Sequence, residues 1–137
     1  ALSWVRANAE QYHLASPVLE AGEIHLHVPA GAVPKDGPSA GVALVTAIVS
    51  VLSSRRARGT AAMTGEISLR GRVLPVGGIK AKVLAAARAG VTTVLLPRRN
   101  EKDLIEVPEE VLEKLEIVPI DSIEEALEKA LEQAPAA

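Results

Sequence analysis

Ser39 lies among Pro34, Gly37, Pro38 and Gly41 in "PKDGPSAG" (34–41), directly ahead of a long apolar run. That places it at the expected N-terminus of a helix, where unpaired backbone N–H groups and the positive end of the dipole stabilise negative charge. Gly37 and Gly41 let the backbone approach a bound group closely. Three kinds of chemistry fit. The serine can cap the helix, which is the commonest role of such a residue. The loop can cradle a phosphate, with Ser39 touching phosphate or Mg²⁺. Or Ser39 can be a nucleophile, with neighbouring N–H groups as the oxyanion hole. The eight residues alone favour the cap.

A nucleophilic serine needs a base. The histidines are His13, His25 and His27. His25 and His27 would share one face of a strand, because side chains two apart point the same way. That spacing can hold a metal, but no nearby carboxylate or third histidine completes a ligand set, so no metal site is assigned. The other available base is a lysine, which must sit in a dry place to lose its proton. "GGIKAKVLAAARAG" (77–90) offers Lys80 and Lys82, which point to nearly opposite sides of a helix. Lys82 shares its face with Ala85, Ala86 and Ala89, a small-residue surface that admits close packing and excludes water. Lys80 shares its side with Val83, Leu84 and, further round, Arg88. Spacing tilts the choice towards Lys82 without deciding it. Both lysines snorkelling from a packed helix is the plainer alternative.

The elements that must position these groups follow from periodicity. A helix is expected over 2–12, and "EIHLHV" (23–28) alternates as a strand. The apolar run from Ala40 reads as a buried helix broken by Gly59, its basic end at Arg55 and Arg56 suiting the dipole. Short strands with turns near Thr64-Gly65 and Arg70-Gly71 occupy 60–78. A helix over 79–90 stops at Gly90, and a strand over 91–97 stops at Pro97. Pro108 suits the first turn of a short helix, 116–120 reads as a strand, and Ser122 with Glu125 forms a capping-box pattern for the last helix. Strands and helices alternate around an inserted hairpin, so a mixed α/β sandwich is expected, as one domain spanning 1–137.

Composition bounds the function. The 137 residues carry a formal net charge of −2, no cysteine, and only two aromatic residues, Trp4 and Tyr12. Disulfides, thiolate metal sites and a cysteine nucleophile are thereby excluded. Base-stacking platforms and a basic surface are missing, so no nucleic-acid partner is expected. The longest apolar stretch, Ala40 to Leu52, is too short to span a bilayer, and the opening residues lack the pattern of a signal peptide. A cytoplasmic protein without membrane contact is expected.

Taken in order, "PKDGPSAG", "AMTGEISLRGRVLPVGGIKAK" and "AGVTTVLLP" resemble the proteolytic domain of Lon, the ATP-dependent protease of the Ser-Lys class. The resemblance runs through essentially the whole chain. It implies an α+β Lon-type fold related to the ribosomal S5 domain 2-like group. It implies Ser39 as nucleophile, Lys82 (the second lysine of "GGxKxK") as general base, and Thr64 of "MTGE" as a hydrogen-bond partner of that lysine. It implies that Asp36 and Gly37 shape the approach to the serine. The implied activity is endopeptidase cleavage of unfolded or damaged proteins through an acyl-enzyme, without metal or organic cofactor in this domain. ATP and Mg²⁺ belong to an ATPase module, for which no Walker motif occurs here, and the implied assembly is a homo-hexamer. Two departures stand out. Ala81 replaces the family's usual glutamate between the lysines, on a side of the helix away from Lys82. The family's first strands and its ATPase module are not in this sequence, so an N-terminally truncated domain is expected. An inactive scaffold has no need of both Ser39 and Lys82.

Overall fold

In the computed structural model the residues described are 1–14, 19, 22–27 and 37–133. The order is α1 (Leu2–Ala7), α2 (Gly41–Ser53), β1 (Ala61–Met63), β2 (Glu66–Ile67), β3 (Val73–Leu74), α3 (Ile79–Arg88), β4 (Thr93–Pro97), a 3₁₀ segment (Arg98–Glu106), α4 (Glu109–Leu112), β5 (Glu116–Ile120) and α5 (Ile123–Ala130).

β1, β4 and β5 form a parallel sheet in the order β1-β4-β5, while β2 and β3 form a separate antiparallel hairpin. Alternation of side chains sorts the sheet residues into two cores. Ala61, Met63, Leu95, Val118 and Ile120 face the cluster built with α1, α2 and α5. Ala62, Val94, Leu96 and Ile117 face the one built with α3, the 3₁₀ segment and α4. Helices therefore cover both faces, which is how parallel strands are normally buried. The mixed helix-and-strand architecture expected from the sequence is present, with its main sheet parallel.

Several local expectations hold closely. The 116–120 strand falls where the pattern puts it. Gly90 ends α3 in the left-handed region at φ +75°, its N–H bonded to the Ala87 carbonyl and the Val91 N–H to that of Ala86. That reciprocal pair is a Schellman stop. Ser122 caps α5 by accepting from the Glu125 N–H at 3.3 Å. In return the Glu125 carboxylate accepts from the Asp121 N–H, one residue before the cap itself.

Others need correction. The opening helix ends at Ala7 rather than at residue 12. Residues 23–27 form no strand, because no described strand lies alongside to complete a ladder. Only Ile24 of that stretch packs on the core, and Val28 lies outside the described residues. α2 stops at Ser54, left-handed at φ +55°, well before Gly59. Arg55 then turns from the helix end: its Nε donates to the Glu132 carbonyl at 2.9 Å, and its own carbonyl accepts from Ser50 Oγ. The 3₁₀ segment after β4 was not expected. Its Asn100 side chain is buried and bonds both the N–H and the carbonyl of Val76, a long-range lock that no local pattern announces.

Candidate active site

Ser39 sits two residues ahead of α2. The cap position is Ala40, without a side-chain hydrogen bond, so Ser39 does not cap the helix. The first amides of α2 are largely committed. The Gly41 N–H bonds the Pro38 carbonyl at 3.1 Å, and the Val42 N–H bonds the Gly65 carbonyl at 3.1 Å. The helix terminus thus fixes the loop instead of presenting these two donors to a ligand.

What holds Ser39 is the Thr64-Gly65 pair that leaves β1. The Gly65 N–H donates to the Ser39 carbonyl at 2.9 Å, and the Thr64 hydroxyl donates to the same oxygen at 3.4 Å. The Thr64 N–H is tied to the Leu95 carbonyl of β4, which anchors this clasp to the sheet. Gly65 is required by close packing: a Cβ there would lie 2.8 Å from Val42 Cγ2 and 2.9 Å from Val73 Cγ1. Contact at that range forces a shift of backbone or core. Thr64 is buried, and its hydroxyl engages the serine-bearing loop rather than a lysine.

Lys82 reaches the same place from α3. With Ser39 and Thr64 it lines a cavity of about 440 Å³ whose other walls are mainly alanine and valine, including Ala43, Ala62, Ala85 and Ala89. Burial pushes the Lys82 ammonium below its ordinary value, and desolvation is the only cause. Lys80, one hundred-degree step from Ala81 and two from Lys82, is exposed and lines neither this cavity nor its neighbour. The alanine face predicted for Lys82 is therefore the face that lines this cavity with it, Ala86 buried and Ala85 and Ala89 exposed. Ala81 is exposed, away from the cavity.

A second cleft, of about 400 Å³, adjoins the first and shares Ser39 and Lys82 with it. Gly37, Pro38, Glu66, Pro75, Val76 and Gly77 complete its walls. Gly37 adopts φ +89°, a left-handed conformation that suits glycine. Asp36 lies outside the described residues. His25 and His27 are exposed and line neither cleft. Among the described residues no group of three potential metal ligands occurs. Sequence reasoning missed Gly65 and Glu66 as parts of this site. The only signal was their place beside Thr64 in the "MTGE" segment.

Ser39 and Lys82, a hydroxyl and an amine whose proton affinity burial lowers, thus line one cavity, an arrangement open to serine-hydrolase chemistry. Residues 1–133 match the Lon protease (S16) C-terminal proteolytic domain. The chain is 58% identical over 136 residues to the peroxisomal Lon protease homolog 2 of Arabidopsis thaliana, covering 96% of the chain and 15% of that protein. It is 53% identical over 135 residues to a Lon protease of Geobacter metallireducens, covering 98% of the chain and 16% of that relative. A third relative, Lon protease 4 of Sorangium cellulosum, is 54% identical over 135 residues, with 98% of the chain and 17% of the relative covered. The chain belongs to the Lon proteolytic-domain family, and it spans about a sixth of the length of these relatives. Membership removes the phosphate-loop reading of "PKDGPSAG". No helix among the described residues is long and apolar enough to cross a membrane.

Proposed function

We propose that this domain hydrolyses peptide bonds with Ser39 as nucleophile and Lys82 as general base. The observation that carries the proposal is the cavity they share, in which burial lowers the lysine's proton affinity. Neutral Lys82 takes the Ser39 hydroxyl proton while Oγ attacks the scissile carbonyl carbon. The tetrahedral oxyanion is held by backbone N–H groups of the serine loop, since Gly41 and Val42 are committed elsewhere. Lys82 then protonates the leaving amine as the C–N bond breaks, leaving an ester on Ser39. Water, giving its proton to Lys82, attacks that ester, and Lys82 passes the proton to Ser39 Oγ as the ester C–O bond breaks and the acid leaves. Thr64 acts with Gly65 as a positioning pair for Ser39, and Gly37 shapes the cleft beside it. Asp36 belongs to the same approach on the family resemblance.

The alanine-lined cavity favours an apolar side chain next to the cut, because it offers area to bury and no partner for a second charge. Unfolded or damaged proteins are the proposed substrates, delivered by an ATPase module within a homo-hexamer, where ATP and Mg²⁺ act outside this domain. The cytoplasm is the proposed compartment, on the cysteine-free sequence. Kinship with the ribosomal S5 domain 2-like group rests on the family resemblance.

A fluorophosphonate or peptide boronate should modify the chain at Ser39, located by mass mapping, and Ser39→Ala should abolish both labelling and peptide cleavage. Labelling that persists in Ser39→Ala assigns the nucleophile elsewhere.

A further inference from the structure

The two clefts that meet at Ser39 and Lys82 differ in charge. Among the described residues the larger has Lys82 as its only ionisable lining residue, whereas the smaller also carries Glu66. Strand alternation explains how a carboxylate comes to be there. Ile67 packs on the core and against Gly41, while Glu66, its neighbour on β2, lines this cleft and also the hollow beside the start of α2. The residue is half-buried and makes no ion pair among the described residues. Nor is it spent on the proposed base, since desolvation alone accounts for the lowered proton affinity of Lys82. Ser39 and Lys82 aside, the other described residues of that wall are Gly37, Pro38, Pro75, Val76 and Gly77, none of which carries charge.

We propose that Glu66 reads charge on the substrate, favouring a basic side chain and disfavouring an acidic one across the scissile bond from the residue held in the alanine-lined cavity. The inference rests on the Ser39–Lys82 reading, which makes the junction of the two clefts the point of cleavage. A lysine or arginine side chain in the second cleft meets the Glu66 carboxylate in a setting partly shielded from water, where unlike charges attract more strongly than at an open surface. A glutamate side chain meets repulsion at the same place. The wall segment 75–77 keeps this spacing because the buried Asn100 side chain bonds both backbone groups of Val76, at 3.0 and 2.8 Å.

The test compares kcat/KM for two peptides identical except for Lys or Glu immediately across the cut from an apolar residue. The ratio is measured at low and moderate salt in the full chain and in its Glu66→Gln and Glu66→Lys variants. Using a ratio within each protein cancels any general loss of activity. The native chain should prefer the Lys peptide by about tenfold at low salt, less at moderate salt. Glu66→Gln should bring the ratio near one, and Glu66→Lys should invert it. A native ratio near one, or a preference that survives both substitutions, overturns the role of Glu66 while leaving the Ser39–Lys82 reading intact. A native chain that cleaves neither peptide and takes no serine-directed label removes that reading, and this inference with it.

Discussion

Lys82 can serve Ser39 only in its neutral form, and the environment around its side chain works in that direction. Partial burial disfavours the ammonium, and no described carboxylate restores it. The sign for catalysis follows. Below the lysine's pKa the base is occupied by its proton and the reaction is slow; above it the base is free. The kcat/KM profile of the free enzyme should therefore rise with pH on an ascending limb whose midpoint lies below the ordinary lysine value of 10.5. Lys82→Ala should lose about 10²–10⁴-fold in kcat, the usual range for removing a general base. Lys80→Ala should keep native activity, because its side chain points to solvent. Peptide kinetics across the pH range on the three proteins check this; if Lys80→Ala is the inactive variant, the assignment of the base is wrong.

At the scale of elements, the junction of β1 and β2 carries more of the site than either strand does. Thr64 and Gly65 bind the Ser39 carbonyl together, and Gly65 also accepts from the first turn of α2. Thr64→Val should remove one of the two bonds to that carbonyl, at about 1 kcal/mol of stability, and lower the rate of Ser39 labelling. Gly65→Ala should do more, since its Cβ would overlap Val42 and Val73 at a cost of about 1–3 kcal/mol. The displaced backbone holds the serine on one side and α2 on the other. Thermal unfolding and labelling rates on both variants check the order: Gly65→Ala should lose labelling more steeply than Thr64→Val. The sequence marked Thr64 through the family motif alone. The part played by Gly65 depends on contacts with residues 23 positions upstream and 8 downstream, which no local pattern reveals.

For the molecule as a whole, the two faces of the parallel sheet divide the labour. Leu95 points into the core beneath α2, which follows the serine, and Leu96 into the core beneath α3, which carries the lysine. Both are fully buried. Each leucine-to-alanine substitution should cost about 2–5 kcal/mol. Hydrogen exchange should locate the loosening, in α3 amides for Leu96→Ala and in α2 amides for Leu95→Ala. Equal loosening of both helices in either variant would mean that the cores are not separable. The catalytic proposal requires the two helices to hold position relative to one sheet, and the central strand β4, buried on both faces, touches both cores.

Much of this was legible in the residues. The alternation of strands with helices, the bounds of β5, the glycine stop of α3 and the serine cap of α5 follow from periodicity and capping chemistry, which act over a few residues. The alanine-lined face of Lys82 could likewise be read from helical spacing. Where sequence reasoning failed, distant partners decided. Residues 23–27 alternate like a strand, but a strand exists only where another chain segment supplies its hydrogen bonds. Ser39 looked like a cap because cap residues are recognised by type, whereas its place two residues ahead of α2 is set by the hold of Thr64 and Gly65 on its carbonyl. The sequence by itself determined which side chains can do chemistry and on which local elements they ride. Only the tertiary structure decided that Ser39, Thr64 and Lys82 line one cavity and that Glu66 lines the cleft beside it. Those meetings depend on side chains from separate elements packing over a shared sheet, a contact of long sequence separation that local propensity does not encode.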